Sequence, residues 1–228
     1  MHEIVQQALK EKKHSLTVFE SKQLLKDYSL PINMSFFASS VQEIELYSQQ
    51  LDFPLVMKIV SPQILHKSDV GGVILDLNSV EDTLTAYKQM IASIKENVPQ
   101  AEIKGVILEE QIEKGLEFIA GTIIDPQFGL CLMFGLGGIF VELVKDVSFR
   151  LIPATKDEIN SMFDELKFSE IFQGIRGYPR VNLENLTEVL VKLASFAENY
   201  KNEISEIDLN PIIVNGDKIT IPDARILF

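Results

Sequence analysis

The sequence predicts an α+β protein built as two lobes. Segments with helical apolar spacing alternate with short apolar runs of strand length, and near 101–105 a long helical pattern gives way to successive strand-like runs. Hydrophobic residues at 46% and charged residues at 24% match an ordinary globular chain, and 228 residues suffice for a substantial core.

Taken in order, residues 3 to 12 place Ile4, Val5, Ala8 and Leu9 on one helical face. Thr17 and Glu20 form a capping box that opens a second helix, VFESKQLLKDY, which Pro31 ends. NMSFFA (33–38) has strand character, Ser40 and Glu43 form another capping box before a helix to about Gln50, and FPLVMKIV (53–60) reads as a buried strand. GGVILDLN is a further strand, and Ser79 starts a long helix through about Asn97. KGVILEEQI (104–112), LEFIAGTII (116–124) and LCLMFGL (130–136) follow as strands, the last two joined by an Asp-Pro-x-Phe-Gly turn. Thr155 and Glu158 cap another helix, 182–200 is a long amphipathic helix, and EIDLNPIIV pairs with KITIPDARIL as a hairpin around Asn215-Gly216. The expected organisation is a helical segment, 1–32, packed on the core, a first lobe at 33–103 and a second at 104–228, with a ligand cleft between lobes.

Charge and cysteine content narrow the function. A net charge of −12 argues against nucleic-acid or acidic-membrane partners, which require clustered Lys and Arg to replace counterions. Cys131 is the only cysteine, so no internal disulfide framework exists, and its place in LCLMF suits a small buried hydrophobe. MHEIVQQALKEKK lacks the apolar core of a signal peptide, and no apolar run is long enough to span a bilayer, so a cytoplasmic location is expected.

Four stretches are suited to chemistry. Lys58 sits in an otherwise apolar strand, where its ammonium either meets an anion or snorkels from a sheet edge. In SPQILHKSDVGGV, His66 is surrounded by Lys67, Ser68 and Gly71-Gly72; glycines can aim successive N–H groups at an anion, yet Gly-Gly before a strand is also an ordinary turn. In FGLGGIFVELVKDVSFRLIP, Gly135, Gly137 and Gly138 precede Glu142, Lys145, Asp146 and Arg150; the glycine spacing is not the dinucleotide fingerprint, and Arg150 can either hold a phosphate or pair with Asp146. Arg176, between glycines in GIRGYP, has the same two options. In EIDLNP, Asp208 and Asn210 are two apart on a strand and face one side, and the returning strand brings Asp223 near them. Two carboxylates and an amide oxygen form a hard-oxygen set suited to Mg²⁺, the competing possibility being a turn at Asn-Pro with Asp223 on the surface.

SPQILHKSDVGGV, DPQFG, FGLGGIFVELVKDVSFRLIP, GIRGYP and EIDLNP, in this order, resemble the ATP-grasp β subunit of ADP-forming acetyl-CoA or acyl-CoA synthetases. The chain is more distantly similar to the nucleotide-binding β subunit of succinyl-CoA synthetase. The resemblance implies an ATP-grasp fold of two α+β lobes with the nucleotide between them, and the reaction acyl-CoA + ADP + phosphate ⇌ carboxylate + ATP + CoA. It also implies a relay in which a histidine of a CoA-binding α subunit takes up the phosphoryl group and His66 then carries it to ADP. A neutral imidazole nitrogen is nucleophilic near physiological pH, and its phosphoramidate stays reactive enough to return the group.

By the same resemblance, Lys58 lies over the nucleotide phosphates with Lys67 nearby, Glu109 sits at the hinge near adenine or ribose, and Glu117 faces the cleft. Asp208, Asn210 and Asp223 hold Mg²⁺, while Gly137, Gly138 and Arg150 stand as secondary phosphate contacts. Gly71 and Gly72 are the expected hinge of a loop that carries His66 between sites. No dinucleotide-type CoA-binding half occurs in the chain, and His2 and His14 lie in the helical N-terminal region, so the expected state is one subunit of a hetero-oligomer. MHEIV reads as a natural start, which favours a separate subunit over a detached domain. An ATP-grasp carboxylate ligase that makes an acyl phosphate directly, or a non-catalytic nucleotide-sensing subunit, are the alternatives; neither needs His66.

Overall fold

The computed structural model describes residues 1–61, 63–64, 67–138, 146–175 and 177–228. They form two compact units, one of Asn33–Ile112 and one of Met1–Ile32 with Glu113–Phe228. Two helices, α1 (Glu3–Lys10) and α2 (Val18–Asp27), open the chain, and α2 carries the capping box of Thr17 and Glu20. Their Val5, Ala8, Leu24 and Leu25 are buried in the core of the second unit.

In the unit Asn33–Ile112, β1 (Ser35–Ala38) leads through α3 (Val41–Ser48) to β2 (Leu55–Val60). A short 3-10 turn at Lys67–Val70 precedes β3 (Val73–Leu77), α4 (Val80–Asn97) and β4 (Gly105–Glu110). The strands form an antiparallel sheet in the order β1-β4-β2-β3. Leu55, Met57 and Ile59 of β2 and Val106 and Leu108 of β4 alternate onto one face, where Ile44, Ala86, Met90 and Ile94 of α3 and α4 cover them. The same period turns Lys58 and Glu109 to the opposite face. Because β4 pairs with both β1 and β2, it belongs to this unit, and the division falls after Ile112 rather than between 103 and 104. The change from helix to strand texture marks the end of α4, whereas the division follows strand pairing, which composition does not record.

The other unit is built on β5 (Leu116–Asp125), β6 (Gly129–Leu136), β7 (Val147–Leu151), β8 (Glu206–Asn215), β9 (Lys218–Thr220) and β10 (Arg225–Leu227). Their order is β10-β8-β5-β6-β7, with β9 also on β8 and every pairing antiparallel. Helices α5 (Lys156–Ser161) and α6 (Leu183–Asn199) belong to this unit. Phe118 and Phe134, on adjacent strands, stack at 5.5 Å between ring centres, and Phe163 and Phe172 close the cluster at 5.2–5.4 Å. Such burial contributes about 1.5–3 kcal/mol per large side chain and holds β5 and β6 in one register. KITIPDARIL is two strands, not one: β9 and β10 each pair with β8, and residues 221–224, which include Pro222, leave the ladder. Among the described residues no helix is long and apolar enough to cross a membrane.

Candidate functional site

The acidic set forms around β8. Ile207 and Leu209 point into the core, so Asp208 faces the other side, opposite Gly121 of β5 and Arg225 of β10. A side chain at Gly121 would strike the Ile207 carbonyl oxygen at 2.4 Å, so the position beside Asp208 stays bare. Asn210 is solvent-exposed at the point where Asn210 and Pro211 together oppose Ile119, a bulge between the Phe118 and Ala120 pairings. A bulge re-aims a side chain and leaves a residue outside the ladder, which suits a proline lacking an N–H. The register of β9 and β10 on β8 is the same on both sides of the gap, which sets Asp223 across from Asn210. Asp223 is exposed, and its Oδ1 accepts from the Ala224 N–H at 2.8 Å.

Electrostatics link these groups. Burial pushes the Asp208 carboxyl above the usual carboxylate range; Glu206 and Asp223 push the same way, and only the Arg225 guanidinium opposes them. Carboxylates that crowd one another with a single cation nearby are the donor chemistry of a hard divalent ion. Among the described residues no group of three His, Cys, Asp or Glu side chains is arranged to hold a metal, so the set rests on two carboxylates completed by the Asn210 amide oxygen. Arg225 escaped the sequence reading although IPDARI contained the signal, a basic residue two positions from Asp223; it opens β10 opposite Asp208.

Glu117 lies on the same face of this sheet as Asp208, four residues along β5 from Gly121. The Gly137 N–H donates to the Glu117 carbonyl at 2.8 Å, and a Cβ on Gly137 would sit 2.8–2.9 Å from the backbone of Glu117 and Phe118. At Gly138, φ is +61° and a Cβ would lie 2.8 Å from the Glu117 carboxylate. The fold therefore brings Glu117 and the glycine pair together; Gly137 is bare because the backbones approach too closely for a side chain, and Gly138 because of its left-handed φ. Glu142 and Lys145 lie outside the described residues, as do Arg176 and His66.

Arg150 is committed elsewhere. Its Nη1 and Nη2 donate to both oxygens of Glu165 at 2.9 and 2.5 Å, Nη2 also reaches Ser161 Oγ at 2.8 Å, and Nε donates to the Glu158 carbonyl at 3.0 Å. Nη1 additionally donates to the Phe149 carbonyl at 2.7 Å. Held by the Arg150 fork and the Ser148 hydroxyl, the Glu165 carboxyl falls to about 2. The expected Arg150–Asp146 pair is absent; Asp146 accepts instead from the Lys167 and Phe168 N–H groups at 2.9 and 3.1 Å. Arg150 fastens β7 to the segment after α5, and no local pattern announced a partner fifteen residues away.

In the unit Asn33–Ile112, Lys58 Nζ donates to Glu109 Oε1 across the β2–β4 pairing. The two are diagonal neighbours, Lys58 opposite Ile107 and Glu109 opposite Val56. Lys67 opens the 3-10 turn, and its carbonyl accepts from the Gly72 N–H at 2.7 Å. A Cβ on Gly72 would strike Ile59 Cγ2 at 2.5 Å, whereas Gly71, at φ +70°, meets only Ser93 Oγ at 3.8 Å. Gly72 thus allows the loop to lie against β2.

Cys131 is 7% exposed, and burial together with Asp125 holds its thiol above the ordinary range, as a packed hydrophobe requires. A groove of about 550 Å³ lined by Ile123, Asp125, Phe128, Cys131, Phe149, Arg150 and Leu151 has apolar walls and includes none of the acidic set. Donor chemistry rather than this groove locates the candidate site.

Residues 7–228 match the family described as ATP-grasp domain. The chain is 41% identical to the Acetate–CoA ligase [ADP-forming] I subunit beta of Pyrococcus furiosus, over 99% of this chain and 96% of that protein. It is 38% identical to the 4-hydroxybutyrate–CoA ligase [ADP-forming] of Nitrosopumilus maritimus, where 98% of this chain covers 32% of a longer protein. A solved structure of the dinucleotide-forming acetyl-coenzyme A synthetase 1 of Ca. Korarchaeum cryptofilum, in complex with coenzyme A, acetyl-coenzyme A and with phosphorylated phosphohistidine segment, is 39% identical. It superposes with a TM-score of 0.81 over 98% of this chain and 97% of that one.

Proposed function

The chain belongs to the ATP-grasp domain family, and on that premise we propose that it is the nucleotide-handling β subunit of an ADP-forming acyl-CoA synthetase. The reaction is acyl-CoA + ADP + phosphate ⇌ carboxylate + ATP + CoA. The observation that carries the reading is the near end-to-end match to a β subunit of an ADP-forming acetate–CoA ligase. The acidic set on β8 supports it independently, because phosphoryl transfer depends on positioning and on neutralising phosphate charge.

In this reading Lys58 and Lys67 meet phosphate oxygens, and Glu117, with Gly137 and Gly138 beside it, faces the nucleotide. Asp208, Asn210 and Asp223 would hold Mg²⁺, whose charge would offset that of the phosphates. The half-buried Asp208 supplies a carboxylate that gains most from a cation, Asn210 an uncharged oxygen beside it, and Asp223 a second carboxylate from across the gap. Arg150, spent on Glu165, is assigned no phosphate.

His66 is proposed as the phosphoryl carrier. An imidazole nitrogen forms a P–N bond as the phosphoryl donor departs; a terminal oxygen of ADP then attacks phosphorus, the P–N bond breaks and the neutral ring returns. The donor site belongs to a CoA-binding α subunit, either a separate chain or a fused one, and with such substrates the compartment is the cytoplasm. Intact-mass analysis after incubation with Mg-ATP tests the relay: an acid-labile phosphate adduct is expected in the wild type and not in His66→Ala. The same adduct in both proteins refutes it.

A further inference from the structure

We propose that Glu109 is a positioning residue that restrains Lys58 while the phosphate site is empty, so that a nucleotide must displace a carboxylate to reach the ammonium. The inference rests on the assignment of Lys58 to phosphate and changes the role expected for Glu109, from a contact with adenine or ribose to a latch on its neighbour.

Lys58 Nζ donates directly to Glu109 Oε1. The Glu109 side chain is 14% exposed and that of Lys58 39%, so the carboxylate is largely covered while the ammonium still reaches solvent. Glu109 lies opposite Val56 on β2 and Ser35 on β1, neither of which carries a charge, so its ion-pair partner among the described residues is Lys58. Both side chains stand on the sheet face turned away from α3 and α4.

An ion pair with so accessible a lysine is cheap to break. What resists an incoming phosphate is the exchange itself, because the ammonium that turns to the phosphate leaves a mostly covered carboxylate without its partner. Lysine suits the exchange because its ammonium is a point charge with three donors on a flexible stem and can turn from one oxygen to another. The carboxylate sets the threshold for phosphate, and the lysine supplies the attraction.

Affinities for ADP and for inorganic pyrophosphate, which has no sugar or base, test the latch by calorimetry in wild type, Glu109→Gln, Lys58→Gln and the double variant. Glu109→Gln is expected to bind both ligands more tightly by roughly five- to tenfold, since the ammonium no longer has to leave a covered carboxylate to reach phosphate. In the Lys58→Gln background the same substitution should leave a distinctly smaller change, which a general effect on folding does not produce. Weaker ADP binding with unchanged pyrophosphate binding overturns the latch and makes Glu109 a sugar or base contact. No change for either ligand, while Lys58→Gln weakens both, also overturns it but leaves the phosphate assignment standing. Wild-type affinities in Lys58→Gln defeat that assignment itself, and the latch with it.

Discussion

The surroundings of Asp208 disfavour its charge. Its carboxyl is held above the usual range by burial first and by Glu206 and Asp223 after that. A raised carboxyl contributes stability that is present below its unfolded pKa and is lost as pH rises through the folded one, so at neutral pH the charge is a liability to the metal-free protein. Asp208→Asn should therefore melt slightly higher than wild type without divalent ions at pH 7, by about 1 kcal/mol or less. Added Mg²⁺ should raise the wild-type midpoint by mass action and leave the variant nearly unmoved; equal responses in the two would remove Asp208 from the metal set. Glu165 has the opposite sign. Its carboxyl falls from 4.5 to about 2 because Arg150 and Ser148 donate to the ionised form, so its stabilisation is present above pH 4.5 and is lost as pH falls through about 2. The side chain is half exposed, and solvent screening limits the effect to about 1 kcal/mol. Urea titrations of Glu165→Gln and wild type should differ most above pH 5 and converge as the pH approaches 2.

At the scale of elements, the Gly71-Gly72 pair has two distinct jobs. Gly71 adopts a left-handed conformation in open space, and alanine there is expected to cost only about 1 kcal/mol of strain. Gly72 lies against Ile59 and the Lys67 carbonyl, where a Cβ displaces the loop from β2, and Gly72→Ala should cost more than 2 kcal/mol. If the pair acts as a hinge for the His66 segment, Gly71→Ala should slow turnover beyond its small loss of stability; full turnover argues that the glycines serve packing alone. The helix starts were legible because they are local. Thr17 with Glu20, Ser40 with Glu43 and Thr155 with Glu158 all form the reciprocal bonds that their spacing announced. The split of KITIPDARIL into β9 and β10 was not legible, since it depends on which β8 residues remain available for pairing across a bulge.

For the molecule as a whole, the N-terminal segment is part of the second unit's core. Val5, Leu16, Leu24, Leu25, Leu30 and Ile32 are buried with Phe118 and Leu209, Tyr28 Oη meets Tyr200 Oη at 2.5 Å, and Ile32 bridges Ile221. Burial and the Tyr200 hydroxyl push Tyr28 up to about 12, which keeps the Tyr28 phenol neutral across the physiological range. At about 1.5–3 kcal/mol per large apolar side chain, removing residues 1–32 takes away as much as a domain's whole stability. The truncated chain should fail to give a cooperative melt, and a sharp transition near the wild-type midpoint would show the segment to be dispensable.

By itself the sequence determined the helix starts, the faces of the strands, the candidacy of Asp208, Asn210 and Asp223, and the family, because capping, alternation and ordered motifs are properties of neighbours along the chain. Tertiary structure alone decided that Lys58 meets Glu109, that Arg150 belongs to Glu165, that Asp223 stands across from Asn210 and that β4 belongs with β1 and β2. Those outcomes are set by strand register and by which long side chain wins a competition among several oppositely charged partners. Both depend on distances between residues far apart in the chain, which spacing along it does not encode.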